Sequence, residues 1–213
     1  MRNLLPALAL ALLPAGLAAC QTTSRTSVPD TVGRVVTLET NMPVEGARIA
    51  PLAAERMTTS NADGSFSLAA VTVEERRVPL PVSGVYRSSA VLRAEADGLY
   101  GFAPVDFVNP DTRATSAVTI ALIAPDAPYP ADSIPPECDA SEEALYLLRV
   151  FAAPSQEGLK AAFAADSEYA FTFNQWADRV LVRQLGADCE LPMAQRLQWI
   201  EDIDAFTEAP LSD

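Results

Sequence analysis

The 213-residue chain holds 28 acidic and 15 basic residues, a formal net charge of −13 at neutral pH, and no histidine. The acidic balance gives it no electrostatic reason to seek nucleic acid or anionic lipid headgroups. The missing imidazole excludes, within this chain, a histidine-based catalytic triad and a zinc site with histidine ligands.

Residues 1–19 open on Met1-Arg2 and continue as an uncharged apolar run over 4–19, interrupted by Pro6 and Pro14. A membrane-spanning helix needs about 20 apolar residues, and this run is shorter. A basic start, a modest apolar core and small residues at the end describe a secretory signal. The run closes on Leu17-Ala18-Ala19-Cys20, which resembles the lipobox of bacterial lipoproteins. The resemblance implies cleavage before Cys20 and attachment of lipid to that residue, leaving a mature chain of residues 20–213 on a membrane. Each buried lipid methylene contributes about 0.8 kcal/mol, so more than one chain is needed for lasting attachment. Gln21, rather than Asp, follows the cysteine; in the sorting pattern it resembles, this implies the outer membrane, with the body facing the periplasm. An ordinary signal peptide with Cys20 as a bystander thiol is the alternative.

With Cys20 assigned to lipid, two of the three cysteines remain, Cys138 and Cys189. In an exported protein an even remainder points to a structural disulfide. A redox-active or metal-binding pair is the other reading, although there is no C-x-x-C and no third or fourth soft ligand. The expected metal and cofactor content is none.

Residues 20–30, rich in Thr and Ser, read as a flexible tether. Residues 31–123 read as about seven short strands. Val32-Gly33-Arg34-Val35-Val36-Thr37-Leu38, Ala47-Arg48-Ile49, Arg56-Met57-Thr58-Thr59, Phe66-Ser67-Leu68, Ala90-Val91-Leu92-Arg93-Ala94, Val105-Asp106-Phe107-Val108 and Val118-Thr119-Ile120-Ala121-Leu122 are separated by turn formers. Asn61-Ala62-Asp63-Gly64 and Asp97-Gly98 are hairpin signals. The spacing predicts an antiparallel β-sandwich with Val36, Ile49, Phe66, Leu68, Leu92, Ile120 and Leu122 in its core.

Gly33-x-Val35, Pro43-Val44-x-Gly46-Ala47-x-Ile49 and Thr58-Thr59-x-x-Ala62-Asp63-Gly64-x-Phe66-x-Leu68 resemble the carboxypeptidase regulatory-like domain. Ala94-x-Ala96-x-Gly98-x-Tyr100 echoes its later segment, and residues 74–89 stand outside the pattern as an insertion. The resemblance implies a prealbumin-like β-sandwich that serves as an accessory module and carries no shared active site.

Residues 124–137 contain Pro125, Pro128, Pro130, Pro135 and Pro136. They read as a semi-rigid linker between domains. Residues 138–213 switch to helical periodicity and predict a small helical bundle, making the whole chain α+β. Asp139 or Ser141 caps a first helix that runs to about Ala153, and Pro154 starts a second that ends at Ala165. A third helix over 167–185 carries the stripe Tyr169, Phe173, Trp176, Val180 and Leu181 and ends at Gly186. A last helix opens at Pro192, with Met193, Leu197, Ile200 and Ile203 on one side.

Few constellations suggest chemistry. Tyr86-Arg87-Ser88-Ser89 resembles the Tyr-Arg-Gly-Ser ending of transthyretin-related hydrolases, but it lacks the Gly and the chain has no His to act as base. Asn61-x-Asp63-Gly64 starts like a calcium loop without the oxygens to complete one; a turn is the simpler reading. Glu201, Asp202, Asp204 and Glu208 are either a solvated helix face or a carboxylate acid–base set. Tyr169, Phe173 and Trp176 are either core or a partner surface. The expectation is a non-catalytic cell-envelope lipoprotein, lipidated at Cys20 and bridged between Cys138 and Cys189, that scaffolds or binds an envelope protein. A glycan-binding module using the loops of residues 74–89 and a carboxylate-based envelope hydrolase are the alternatives.

Overall fold

The structure is a computed structural model and describes residues 21–77, 86–109 and 112–208. The leader and Cys20, where lipid is expected, lie outside these residues, as do residues 78–85 of the expected insertion.

The chain is α+β. β1 (Gln21–Val28) and β6 (Val71–Arg77) form a two-stranded antiparallel ribbon. β5 (Ser65–Leu68), β2 (Thr31–Thr37) and β9 (Val118–Leu122) form one sheet in the order β5-β2-β9, with β2 and β9 parallel. β4 (Thr58–Thr59), β3 (Arg48–Pro51), β7 (Tyr86–Ala96) and β8 (Leu99–Asn109) form an antiparallel sheet in the order β4-β3-β7-β8. All seven core candidates from the strands are buried. On β5 alternation explains this, since Phe66 and Leu68 point inward while Ser65 and Ser67 do not; on β2 and β9 consecutive residues are buried, Val35 with Val36 and Ala121 between Ile120 and Leu122.

The two turn signals have different outcomes. Asp97 and Gly98 both have positive φ, at 49° and 79°, and join β7 to β8 in a hairpin paired from Tyr86↔Asn109 to Ala96↔Leu99. Asn61-Ala62-Asp63-Gly64 also makes a tight turn, with the Asn61 amide donating to the Ser65 carbonyl at 2.8 Å. Its flanks do not pair with each other, however. β4 joins β3 and β5 joins β2, so this turn carries the chain from one sheet to the other.

Residues 20–30 do not form the expected flexible tether from Gln21 onward. Thr and Val favour extended backbone, and the partner strand β6 supplies the hydrogen bonds the segment needs. Val28 and Thr26 are buried, and the Ser27 hydroxyl donates to the Val71 carbonyl at 3.0 Å.

The helices are α1 (Glu142–Ala152), α2 (Glu157–Ala165), α3 (Ser167–Ala177), α4 (Gly186–Asp188) and α5 (Met193–Glu208). Between α3 and α4 the helix continues as a π-helix over Asp178–Leu185, so Gly186 does not end it. The Ser141 hydroxyl caps α1 through the Ala144 amide at 3.2 Å. The Asp166 carboxylate caps α3 by accepting from the Glu168 and Tyr169 amides, each at 3.0 Å. Among the described residues no helix is long and apolar enough to cross a membrane.

The stripe expected on α5 holds only in its second half: Ile203 is buried and Ile200 packs against the core, but Met193 and Leu197 are 64% and 53% exposed, and Trp199 and Phe206 are buried instead. The aromatic rings decide the face: Phe206 packs edge-on against Phe151 and Phe163, with centroids 5.2 and 5.5 Å apart.

The 124–137 segment does not hold two bodies apart, because the strands and helices share one hydrophobic core. Tyr146 of α1 donates its hydroxyl to the Ala121 carbonyl at 2.8 Å, and Tyr169 of α3 donates to the Thr119 carbonyl at 2.5 Å. Two tyrosines thus occupy carbonyls of β9, while the next residue after the strand, Ile123, exchanges backbone hydrogen bonds with Tyr100 of β8. Burial pushes both phenol pKa values upward, which keeps the hydroxyls protonated as donors. The Gly158 amide of α2 donates to the Leu38 carbonyl at 2.9 Å. A Cβ at Gly158 would lie 2.7 Å from the Thr37 carbonyl oxygen, so only glycine permits this approach. Prolines leave carbonyls without neighbouring amide donors, and helical side chains use them: Arg149 Nε donates to Ala127 O at 3.0 Å, and Gln195 Nε2 donates to Ser133 O at 2.8 Å.

A disulfide joins Cys138 to Cys189, with Cα atoms 5.4 Å apart. It ties the chain just before α1 to the chain just after α4.

Candidate functional site

Strand alternation and register build one mixed-charge surface. Arg93 and Glu95 lie two apart on β7 and share a face. Arg48 of β3 stands opposite Glu95 in the antiparallel register. Their side chains meet as ion pairs, Arg48–Glu95 at 3.2 Å and Arg93–Glu95 at 2.7 Å. Arg93 extends the chain of charges to Glu142, in the first turn of α1, at 2.7 Å. Its guanidinium also lies 5.7 Å from the Phe102 ring centroid.

Seven residues beyond Glu142, on the same face of α1, Arg149 lines a groove of about 690 Å³. Three contacts fix it. Nε donates to the Ala127 carbonyl, one terminal nitrogen donates to the Tyr100 hydroxyl at 2.7 Å, and the guanidinium lies 5.4 Å from the Tyr129 ring centroid. Burial pushes the Tyr100 phenol pKa up, and the Arg149 charge acts in the opposite direction. Among the described residues Arg149 makes no ion pair, whereas Arg48 and Arg93 both do. The groove therefore offers an immobilised guanidinium with unused donors, ringed by Glu95, Asp97 and Glu142. Such a cation suits a carboxylate or another oxyanion, held by charge-assisted hydrogen bonds.

The residues singled out from sequence lie elsewhere. Tyr169, Phe173 and Trp176 are core residues. The Trp176 indole donates to a Glu143 carboxylate oxygen at 3.0 Å. Glu201, Asp202, Asp204 and Glu208 are exposed on α5. Asp202 accepts from Gln198 at 3.0 Å and Asp204 from Asn174 at 2.8 Å, so both behave as surface hydrogen-bond partners. Asn61 and Asp63 serve the turn. Among the described residues no group of three or more Cys, Asp or Glu could hold a metal ion. Of residues 74–89, those on β6 and at the start of β7 are described, and the connection between them lies outside. Cys138 and Cys189 are bonded to each other, as expected from cysteine parity.

Sequence reading missed Arg149. The spacing of Glu142, Leu145 and Arg149 marks one helix face, but its meeting with Arg93 and Tyr100 is nonlocal.

Two carboxyls shift in opposite directions. Hydrogen bonds from Ser65 to the exposed Asp63 carboxylate, including the backbone amide at 3.0 Å, hold its pKa below the ordinary value. Its contribution to stability is present above the unfolded-state pKa and is lost as pH falls through the folded one. Burial raises the Asp106 pKa despite Arg87, 3.9 Å away. In the window between its unfolded and folded pKa values the native state binds more protons, so this contribution weakens as pH rises. NMR titration of the carboxyl carbons is expected to place Asp63 below the ordinary Asp range and Asp106 above it. The reverse order contradicts the assignment of hydrogen bonding to one and desolvation to the other.

Comparison with protein-family models, curated proteins and solved structures found no match for this chain.

Proposed function

We propose that this chain is a lipid-anchored, non-catalytic module of the outer membrane, facing the periplasm, that holds an envelope protein through the groove at Arg149. The carrying observation is the guanidinium itself: Ala127 and Tyr100 fix it, and it has no carboxylate partner among the described residues. A partner's carboxylate supplies the missing counter-charge at little ordering cost, because the arginine is already positioned. In this reading the strand part is a carboxypeptidase regulatory-like, prealbumin-like accessory module. Support comes from where its motif residues stand: Gly33 and Val35 on β2, Ile49 on β3, Phe66 and Leu68 on β5, and Gly64 in the connecting turn. The lipobox-like Leu17-Ala18-Ala19-Cys20 supports the anchor.

The experiment is cross-linking in intact envelopes, followed by capture of the anchored chain and quantitation of partners. A discrete partner is expected, recovered about tenfold less with Arg149→Gln, the loss typical of one charge-assisted contact. Equal recovery from both chains, or no partner with either, contradicts the proposal.

A further inference from the structure

A second groove, of about 410 Å³, lies where the start of β7 and the middle of β8 meet α3 and the π-helix. It shares no lining residue with the groove at Arg149. Several independent features of it lack an explanation in the fold.

The first is the π-helix, eight residues long over Asp178–Leu185. Such stretches are rare and concentrate at functional sites. Its wider turn brings residues five apart together, and Arg183 Nε donates to Asp178 Oδ2 at 2.8 Å. Arg179, between them in sequence, points one terminal nitrogen at the Ser89 hydroxyl, 3.0 Å away, and makes no ion pair among the described residues. The second is Thr172. It lines the groove, is 2% exposed, and its hydroxyl has no hydrogen-bond partner among the described residues. A buried hydroxyl left unpaired calls for a physical reason, and an absent ligand is one. The third is Phe171, which lines the same groove and is 54% exposed although aromatic.

The remaining lining combines apolar surface from Pro104 and Trp176 with polar groups of both senses. Asp106 and Asp178 are acceptors, and Gln175 offers both an acceptor and donors. Arg87 is shared between Asp106 at 3.9 Å and Glu168 at 3.3 Å. An apolar ligand would strand these groups, and a bare anion would leave Phe171 and the carboxylates unused. A sugar ring uses all of them, with its C–H face on the aromatic ring and its hydroxyls on the carboxylates and the amide. Arg179, whose charge also acts on Asp106, favours a ligand that carries negative charge.

We propose that this groove is a binding site for a carboxylate-bearing saccharide, with Arg179 taking the carboxylate and Phe171 the ring face. The site is separate from the partner groove and does not depend on it.

The test uses the purified full chain, titrated with D-glucuronate and with N-acetylmuramate, against D-glucose, acetate and inorganic phosphate. Isothermal calorimetry is read beside tryptophan fluorescence, because Trp176 lines the groove. Saturable binding of at least one acidic sugar is expected, weakened about tenfold or more by Arg179→Gln and by Phe171→Ala. Arg56→Gln, an exposed arginine far from the groove in sequence, serves as the charge control and leaves binding intact. Circular dichroism and melting temperature verify that each variant folds. Binding of glucuronate alone or muramate alone supports the site and names its source. No binding of either sugar at about 10 mM, an affinity too weak to matter, overturns it. Acetate or phosphate binding as tightly as the sugars, or binding unchanged in Arg179→Gln, also overturns it.

Discussion

Replacing Trp176 with alanine is expected to destabilise the whole chain by about 4 kcal/mol, the usual cost of removing a buried tryptophan. Its ring is buried, meets Phe173 edge-on at 5.4 Å and lies 6.3 Å from Tyr146, and its indole donates to Glu143. Tyr146 in turn packs on Phe102 of β8 at 5.5 Å. The aromatic chain thus runs from helix into sheet, and the loss is shared by both. Urea denaturation followed by helical circular dichroism and by near-ultraviolet signals is expected to show coincident transitions shifted together. A variant that loses helix while its strands unfold at the original urea concentration contradicts the shared core.

Breaking the Cys138–Cys189 bond is expected to cost a similar amount. The cysteines are 51 residues apart, and closing a loop of that length removes about 4 kcal/mol of chain entropy from the unfolded state in the loop-closure model. The loop encloses α1 through α4, including the π-helix. The double variant Cys138→Ala/Cys189→Ala is expected to lose stability chiefly because its unfolded chain is no longer restricted, with native packing retained. A melting temperature equal to that of the oxidised parent contradicts this.

The readable part of the fold was the part set by local periodicity. Ile49, Phe66 and Ile120 sit where two-residue alternation places them, and Ser141 caps α1 as a short polar side chain ahead of Glu142 and Glu143 does. What was not readable depended on a remote partner. The Thr-Ser run of β1 is a strand only because β6 lies beside it. The proline segment becomes packed structure because Ile134 enters the core and Arg149 and Gln195 reach its carbonyls. On α5 both candidate faces carry apolar residues, and only Phe151 and Phe163 settle which one turns inward. The same limit applies to function. Arg87, Ser88 and Ser89 stood out as a motif, but the link from Ser89 to Arg179 spans 90 residues. Arg149 takes its place only beside Tyr100 and Ala127, 49 and 22 residues away in the chain.

Intact-mass spectrometry of the native molecule, extracted from its own envelope, tests the account most directly. The proposal predicts a chain that starts at Cys20 and carries added acyl mass on that residue. An unprocessed amino terminus, or Cys20 present as a free thiol, contradicts the anchor and with it the envelope-tethered role.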